Sequence, residues 1–316
     1  MALKPKRIIF TDADIDGAGS YLAWSWLTTK RLPYKTCRVN DFKKTFTSWM
    51  SNNNIDEYEI YIFDLDVSQD EPTRKLVDRT NVTIFDHHTT HVRKKHLYKN
   101  AKIVIREYTS CTRLIYDTFK NTGDNNLTEE QKLLVLLVDD YDCYELKIPQ
   151  SYSLNVIFWN YQGDRIKKFT DEYYNGFHSF SDQQKSIINF YRKKFESIRK
   201  DIDVHSANIP IGKQVYKFVS VFADSCINEI AEYIIKNYKA DVGLVVNLKS
   251  KKVSLRKAKE CKLDLGSFAS KLFTVGGGHD YAAGGVIDEK FGLFSSVFRQ
   301  YGKRVSPTEE LARATL

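Results

Sequence analysis

Cysteine is scarce and odd in number: five in 316 residues, with no C-x-x-C spacing. That argues against a disulfide framework and against a zinc knuckle, and it leads to the expectation of a reducing, cytoplasmic compartment. Long apolar runs are missing too. The longest, Leu133 to Val138, is far too short to span a bilayer, and Met1 to Arg7 leads into a strand without the apolar segment of a secretory signal. No membrane partner is expected. No G-x-x-x-x-G-K-[ST] occurs, which excludes a P-loop nucleotide hydrolase, and no Ser-His-Asp arrangement is evident.

What is present is the balance of a soluble globular protein, 42 % hydrophobic and 28 % charged, in a chain long enough for one large domain or two ordinary ones. The net charge is +8, with a pI near 9.0. A polyanionic partner would suit that excess. It is concentrated in Arg93-Lys94-Lys95-His96 with Lys99, in Arg192-Lys193-Lys194, and between Lys249 and Lys262. Any one of these is also what an ordinary solvated face looks like.

The short apolar run Val82 to Phe85 reads as a buried strand that ends in Asp86-His87-His88-Thr89-Thr90. Side chains at the carboxyl end of a strand in an open α/β sheet face the crevice where ligands bind. Imidazole suits transition metals and carboxylates suit Mg²⁺ or Mn²⁺. Taken alone, two adjacent histidines are as readily a solvated turn. The question is whether other acids reach the same edge.

They do so by the strand pattern. Lys6 to Phe10 is a strand entering Thr11-Asp12-Ala13-Asp14-Ile15-Asp16-Gly17-Ala18-Gly19-Ser20, and Tyr21 to Lys30 follows as an apolar helix. One acid is enough to cap that helix. Three within five residues repel one another, a cost that a bound cation would offset. A Ca²⁺ loop of the EF-hand type shares the D-x-D-x-D-G start, but it needs a bidentate glutamate at its twelfth position and a helix before it. Here that position is Ala23, and a strand precedes. Glu59 to Phe63 is another apolar strand, ending in Asp64-Leu65-Asp66, of which Asp64 lies nearer the strand end.

Lys35 to Asn40 reads as a further strand, Phe42 to Met50 and Glu71 to Arg79 as helices, and Ala101 to Ile105 as a strand before a helix that starts at Ser110-Cys111-Thr112. A helix opened by Thr128-Glu129-Glu130-Gln131 ends in Asp139-Asp140-Tyr141-Asp142. Periodicity does not say which of these three acids points inward. The alternation of strand and helix predicts an α/β fold, a doubly wound and mainly parallel sheet with one acid-loaded edge. Ser151 to Phe180 reads as aromatic-rich and irregular. Asp182 to Ile202 reads as a basic connecting helix, and a smaller α+β unit follows it. The expected division is 1–180, a helical linker at 181–206, a second domain at 207–303 and a tail at 304–316. In that second unit Gly276-Gly277-Gly278-His279 reads as a glycine-rich turn whose N–H groups could approach an anion, with Arg256 on a preceding strand to supply charge.

These blocks, in this order, resemble the DHH phosphoesterases with their companion DHH-associated domain. The blocks are Asp12-Ala13-Asp14-Ile15-Asp16-Gly17, Phe63-Asp64-Leu65, Asp86-His87-His88, Asp140-Tyr141-Asp142 and the stretch from Gly276 to Gly285. The likeness runs from about Ile8 to Gly285. Within the family the chain looks most like the B-type small oligoribonucleases, or nanoRNases, with Tyr144 where tryptophan is usual. Asp12 departs from the histidine more usual in that type and matches the RecJ-type nucleases.

The resemblance implies two divalent ions, usually Mn²⁺, with Mg²⁺ or Co²⁺ as alternatives. Asp12 and Asp14 would hold one and Asp16, His87 and Asp142 the other, with Asp64 bridging. It further implies that His88 faces the scissile phosphate, that Asp86 orients an imidazole, and that Arg256, Gly277, Gly278 and His279 grip the substrate. The expected activity is hydrolysis of short single-stranded oligonucleotides to mononucleotides by a water activated between two cations, with a homodimer allowed. The alternatives are a phosphodiesterase for cyclic or linear dinucleotides, a RecJ-like exonuclease on single-stranded DNA, and, from another class, a catalytically silent nucleic-acid-binding module.

Overall fold

The computed structural model describes residues 5–121, 126–278 and 280–287. The chain divides into two compact units, Met1–Asn189 and Phe190–Leu316. Among the described residues no helix is long and apolar enough to cross a membrane.

The first unit is built on five short strands: β1 (Lys6–Thr11), β2 (Tyr34–Thr36), β3 (Tyr58–Phe63), β4 (Val82–Asp86) and β5 (Lys102–Ile105). They pair in the order β2-β1-β3-β4-β5, and every neighbouring pair is parallel. Because β2 and β3 flank β1 on opposite sides, the topology switches between β1 and β3. A sheet of this order opens its ligand crevice there, beyond the carboxyl ends of the strands.

Side-chain alternation along each strand divides the core in two. Ile8 and Phe10 face one layer with Ile60, Ile62 and Ile84, packed on Phe42, Phe46 and Trp49 of α2 (Phe42–Met50) and on Val77 of α3 (Glu71–Val77). The Phe10 ring lies 5.0 Å from that of Phe46 and 5.5 Å from that of Trp49. Burying one such side chain is worth roughly 1.5–3 kcal/mol. Ile9, Phe63 and Phe85 face the other layer, under α1 (Ile15–Thr28). That helix is buried from Ile15 to Leu27, which is why its sequence is apolar all round rather than on one stripe. It is covered by α5 (Cys111–Phe119), α6 (Glu129–Asp142) and α8 (Arg165–Glu172). The expected α/β architecture is therefore the one observed.

Three local expectations need correction. The β2 strand covers only Tyr34–Thr36 and gives way to a 3₁₀ turn at Val39–Asp41 rather than running to Asn40. The stretch expected to be irregular contains α7 (Pro149–Asn160) as well as α8. Pro149 begins α7 in the first turn, where its missing N–H costs nothing. Leu154 and Phe158 of α7 and Ile166 and Phe169 of α8 then bury in the α1 core. The third correction concerns the glycine block of the second unit.

Helix α9 (Asp182–Asp201) leads into that unit. Its sheet comprises β6 (His205–Ile211), β7 (Gln214–Phe222), β8 (Val242–Asn247), β9 (Lys252–Lys257), β10 (Gly276–Gly278) and β11 (Ala282–Val286), in the order β10-β11-β9-β8-β7-β6. Only β7 and β8 are parallel, joined through α10 (Ile227–Tyr238). The expected glycine turn is instead a pair of strands, with Gly276 opposite Gly285 and Gly278 opposite Ala283. A Cβ on Gly285 would stand 2.2 Å from the Phe273 ring of the adjoining chain, so glycine here admits close packing with α11 (Leu265–Leu272) and the residue after it. The upper bound set for the second domain and the expected tail lie outside the described residues.

Candidate functional site

Four segments reach the carboxyl edge of the first sheet. The loop after β1 carries Asp12 and Asp14, and the first turn of α1 carries Asp16. Gly17 makes this crowding possible, since a Cβ there would stand 2.2 Å from the Asp12 carbonyl oxygen. Asp14 caps α1, accepting from Gly17 N at 2.9 Å. Asp16 is fully buried and held by the start of α5, accepting from Cys111 N at 2.7 Å and Thr112 N at 2.9 Å. Asp64 leaves β3 with φ +56°, a left-handed conformation that non-glycine residues avoid at a cost of about 1–3 kcal/mol. β4 ends in Asp86, followed by His87 and His88, and α6 ends in Asp142.

These segments converge on one atom. His87 Nε2 lies 3.4 Å from Asp64 Oδ1, 3.4 Å from Asp142 Oδ2 and 3.6 Å from Asp16 Oδ2. The opposite ring nitrogen, Nδ1, is 3.2 Å from the carbonyl oxygen of Tyr108. A carbonyl only accepts, so Nδ1 carries a proton, and Nε2 is the ring nitrogen turned toward the carboxylates, the atom a neutral imidazole would offer to a cation. His88 is placed differently, its Nδ1 donating to Asp86 Oδ1 at 2.7 Å and lying 3.9 Å from Asp64 Oδ1. Ligand atoms of Asp16, His87 and Asp142 all fall within 4.8 Å of one another, and so do those of Asp64, His87 and His88.

The electrostatics follow from burial. Burial raises the Asp12 carboxyl to about 8, with Asp14 adding to the shift. Burial and then Asp16 raise Asp14. Asp64 and Asp142 stand well above the usual carboxylate range, through burial first and then the charge of Asp16. Asp86 runs the other way. Burial would raise it too, but His88 and His91 outweigh that and hold it well below. Burial likewise opposes charge on His88, yet Asp86 lifts the imidazole to about 10.

Buried carboxylates that repel one another around an imidazole nitrogen suit a divalent cation of the Mn²⁺ or Mg²⁺ kind. Cys111 is not part of the donor set, since its thiol is spent on the Phe85 carbonyl at 3.3 Å and burial raises it well above its usual range.

The structure also separates the three acids at the end of α6. Asp140 turns into the protein, accepting from Lys147 N, Ile148 N and Ser151 Oγ at 2.9, 3.1 and 2.6 Å. Asp139 accepts from Ser110 Oγ at 2.7 Å and from the Thr109 hydroxyl. Asp142 is the one that faces His87. Sequence reasoning missed His91, Tyr98 and the Tyr108 carbonyl, and it set Asp66 aside in favour of Asp64. The only available signal was the third histidine of His88-Thr89-Thr90-His91, one helical turn after the second.

In the second unit Arg256 lies on β9, its Nη2 3.1 Å from Asn228 Oδ1 of α10. Gly277 and Gly278 lie on β10 with φ of +154° and +139°, and β11 separates them from β9. His279 lies outside the described residues.

No family model matches the chain, and no curated protein matches it. Solved structures do. The DHH domain of a member of a ribosomal-protein family aligns with a TM-score of 0.62 at 12 % identity, over 99 % of this chain and 86 % of that one. A pGpG-specific phosphodiesterase from Vibrio cholerae gives 0.54 at 12 %, over 91 % and 95 %. A manganese-bound exonuclease RecJ gives 0.53 at 12 %, over 93 % and 89 %. At such identities the likeness is one of architecture, and the architecture of this chain is that of the DHH-domain proteins.

Proposed function

We propose that the chain is a divalent-metal-dependent phosphodiesterase that hydrolyses short oligonucleotides to mononucleotides. The observation that carries the reading is the convergence of Asp16, Asp64 and Asp142 on His87 Nε2 at 3.4–3.6 Å. Asp12, Asp14, Asp16, Asp64, His87 and Asp142 would hold two cations, which when bound polarise phosphoryl oxygens and lower the pKa of water.

The chain's own groups do the remainder. The Tyr108 carbonyl keeps the His87 proton on Nδ1, so the ring presents Nε2 to the cluster. Asp86 engages His88 through Nδ1 and so fixes the orientation in which the ring would face a phosphoryl oxygen. Asp86 raises the His88 imidazole, which favours its N–H form, the form suited to the charge that develops on a phosphoryl group. Arg256, with Gly277, where a Cβ would meet nothing within 4 Å, and its strand neighbour Gly278, would bind a second phosphate. His279 belongs to the same proposal.

A second reading, a phosphodiesterase for linear or cyclic dinucleotides, is favoured by the likeness to the Vibrio cholerae enzyme, of whose length the alignment covers 95 %. Incubation with Mn²⁺ and 5′-labelled two-, five- and twenty-nucleotide substrates separates the readings. The proposal expects mononucleotides from the two shorter substrates. Cleavage of dinucleotides alone supports the second reading, and activity confined to long DNA contradicts both.

A further inference from the structure

Asp86 serves more than His88. Its second oxygen, Oδ2, lies 2.5 Å from Nδ1 of His91, and Nε2 of His91 lies 2.8 Å from the Tyr98 hydroxyl. His91 and Asp86 are both 0 % exposed, and Tyr98 is buried. We propose that His91, backed by Tyr98, is a positioning residue for His88. By occupying Oδ2 it holds the Asp86 carboxylate in the orientation from which Oδ1 fixes the His88 ring. This deepens the proposed function and rests on it for the catalytic readout.

The hydrogen-bond directions are settled by inventory. A carboxylate only accepts, so His88 and His91 both donate to Asp86 from Nδ1. The other ring nitrogen, Nε2, lies against the Tyr98 hydroxyl at 2.8 Å, so both nitrogens of His91 are engaged. Both imidazoles thus present an N–H to Asp86. A carboxylate torsion is broad when one side alone is engaged, whereas donors on both oxygens leave it a single setting.

The neighbouring acid does not compete for the ring. Asp66 Oδ1 is 3.8 Å from His91 Nδ1, and Asp66 already accepts from Ser68 N at 3.0 Å, Ser68 Oγ at 2.5 Å and the Thr90 hydroxyl. An apolar residue would fill the His91 site without requiring partners for two buried nitrogens. What the imidazole adds is the aim of Asp86, and through it the aim of His88.

The test uses the full chain and three variants: His91→Phe, His91→Asn and Tyr98→Phe. The first readout is the His88 Nδ1–H resonance in ¹H–¹⁵N spectra of the metal-free protein. The second is kcat and KM with Mn²⁺ and a labelled dinucleotide.

Wild-type protein should show a downfield, slowly exchanging His88 Nδ1–H. His91→Phe should lose that protection and drop kcat about 10–100-fold, the usual cost of removing an outer partner, with KM unchanged. His91→Asn, which retains a donor toward Asp86, should recover most of both. Tyr98→Phe should fall between wild type and His91→Phe. Unchanged protection of His88 in His91→Phe overturns the proposal, as does an Asn variant no better than the Phe variant. If His91→Phe does not fold, His91→Asn and Tyr98→Phe decide, and wild-type values for Tyr98→Phe count against it. If wild-type protein hydrolyses no nucleotide, the proposed function has failed, while the resonance still decides the positioning role.

Discussion

Two groups of acids stand a few residues apart at the same sheet edge and behave in opposite ways. In front, Asp12, Asp14, Asp64 and Asp142 are all raised, by burial first and then by a neighbouring carboxylate, Asp14 for Asp12 and Asp16 for the other three. Behind them, Asp86 is at least as deeply buried and yet is lowered, because His88 and His91 each present an N–H to one of its oxygens. The difference is one of partners, not of depth. The rear acid has its charge met within the protein, whereas on the proposed function the front group would be completed by a cation.

The largest effect expected from that contrast is on activity. Asp64→Asn or His87→Ala should bring hydrolysis to background in a Mn²⁺ assay, with the far-ultraviolet circular dichroism unchanged. Asparagine also tolerates the φ of +56° found at Asp64, so the loss would not be one of backbone strain. Wild-type turnover in either variant would show that the front cluster is not the reacting centre.

The next effect is on stability, and there the two groups should part in sign. Asp86→Ala removes the anion shared by two buried imidazoles and should cost about 3–5 kcal/mol in a denaturant titration. Asp64→Asn instead removes a repelling charge. It should raise the melting temperature of the metal-free protein by about 2–4 °C, the shift that ~1 kcal/mol produces in a domain of this size. Destabilisation by both would erase the contrast.

The pH dependence sharpens it further. A carboxyl whose folded-state pKa is raised binds more protons folded than unfolded, so the metal-free protein should lose stability as pH climbs from the ordinary carboxylate range toward the Asp12 value of about 8. Asp86, being lowered, contributes stability throughout that window and gives it up only in stronger acid. Mn²⁺ should therefore raise the melting temperature more at pH 8 than at pH 5. An equal shift at both would contradict the assignment.

The smallest effect concerns the second unit. Arg256→Ala should raise KM about tenfold, as the loss of one charge-assisted hydrogen bond would, with kcat and metal content intact. A fall in metal content would blur the division between the two units.

The contrast also marks how far the sequence could be read. Acids at the ends of β1, β3 and β4 were visible because each follows an apolar run, and the switch in strand order does bring those ends to one crevice. The choice among Asp139, Asp140 and Asp142 was not visible in periodicity, and only the resemblance pointed to Asp142, because it depends on which of them caps the turn into α7, a partner seven to eleven residues further on. His91 was hidden for a related reason: its meaning depends on Tyr98 and on the far oxygen of Asp86, and neither is a matter of spacing. The aromatic stretch concealed α7 because a helix buried on most sides loses the polar stripe that signals it, whereas α8 carries that stripe over only 8 residues. The glycine block read as a turn because nothing local shows that Gly276 to Gly278 will pair with β11.

The most direct test is a calorimetric titration of Mn²⁺ into metal-free wild-type protein, Asp64→Asn and His87→Ala at neutral pH. Saturable binding by the wild type that is lost or strongly weakened in both variants is the predicted result. A wild-type protein that takes up no Mn²⁺, or variants that bind it as the wild type does, would mean that these carboxylates crowd around His87 for some other reason.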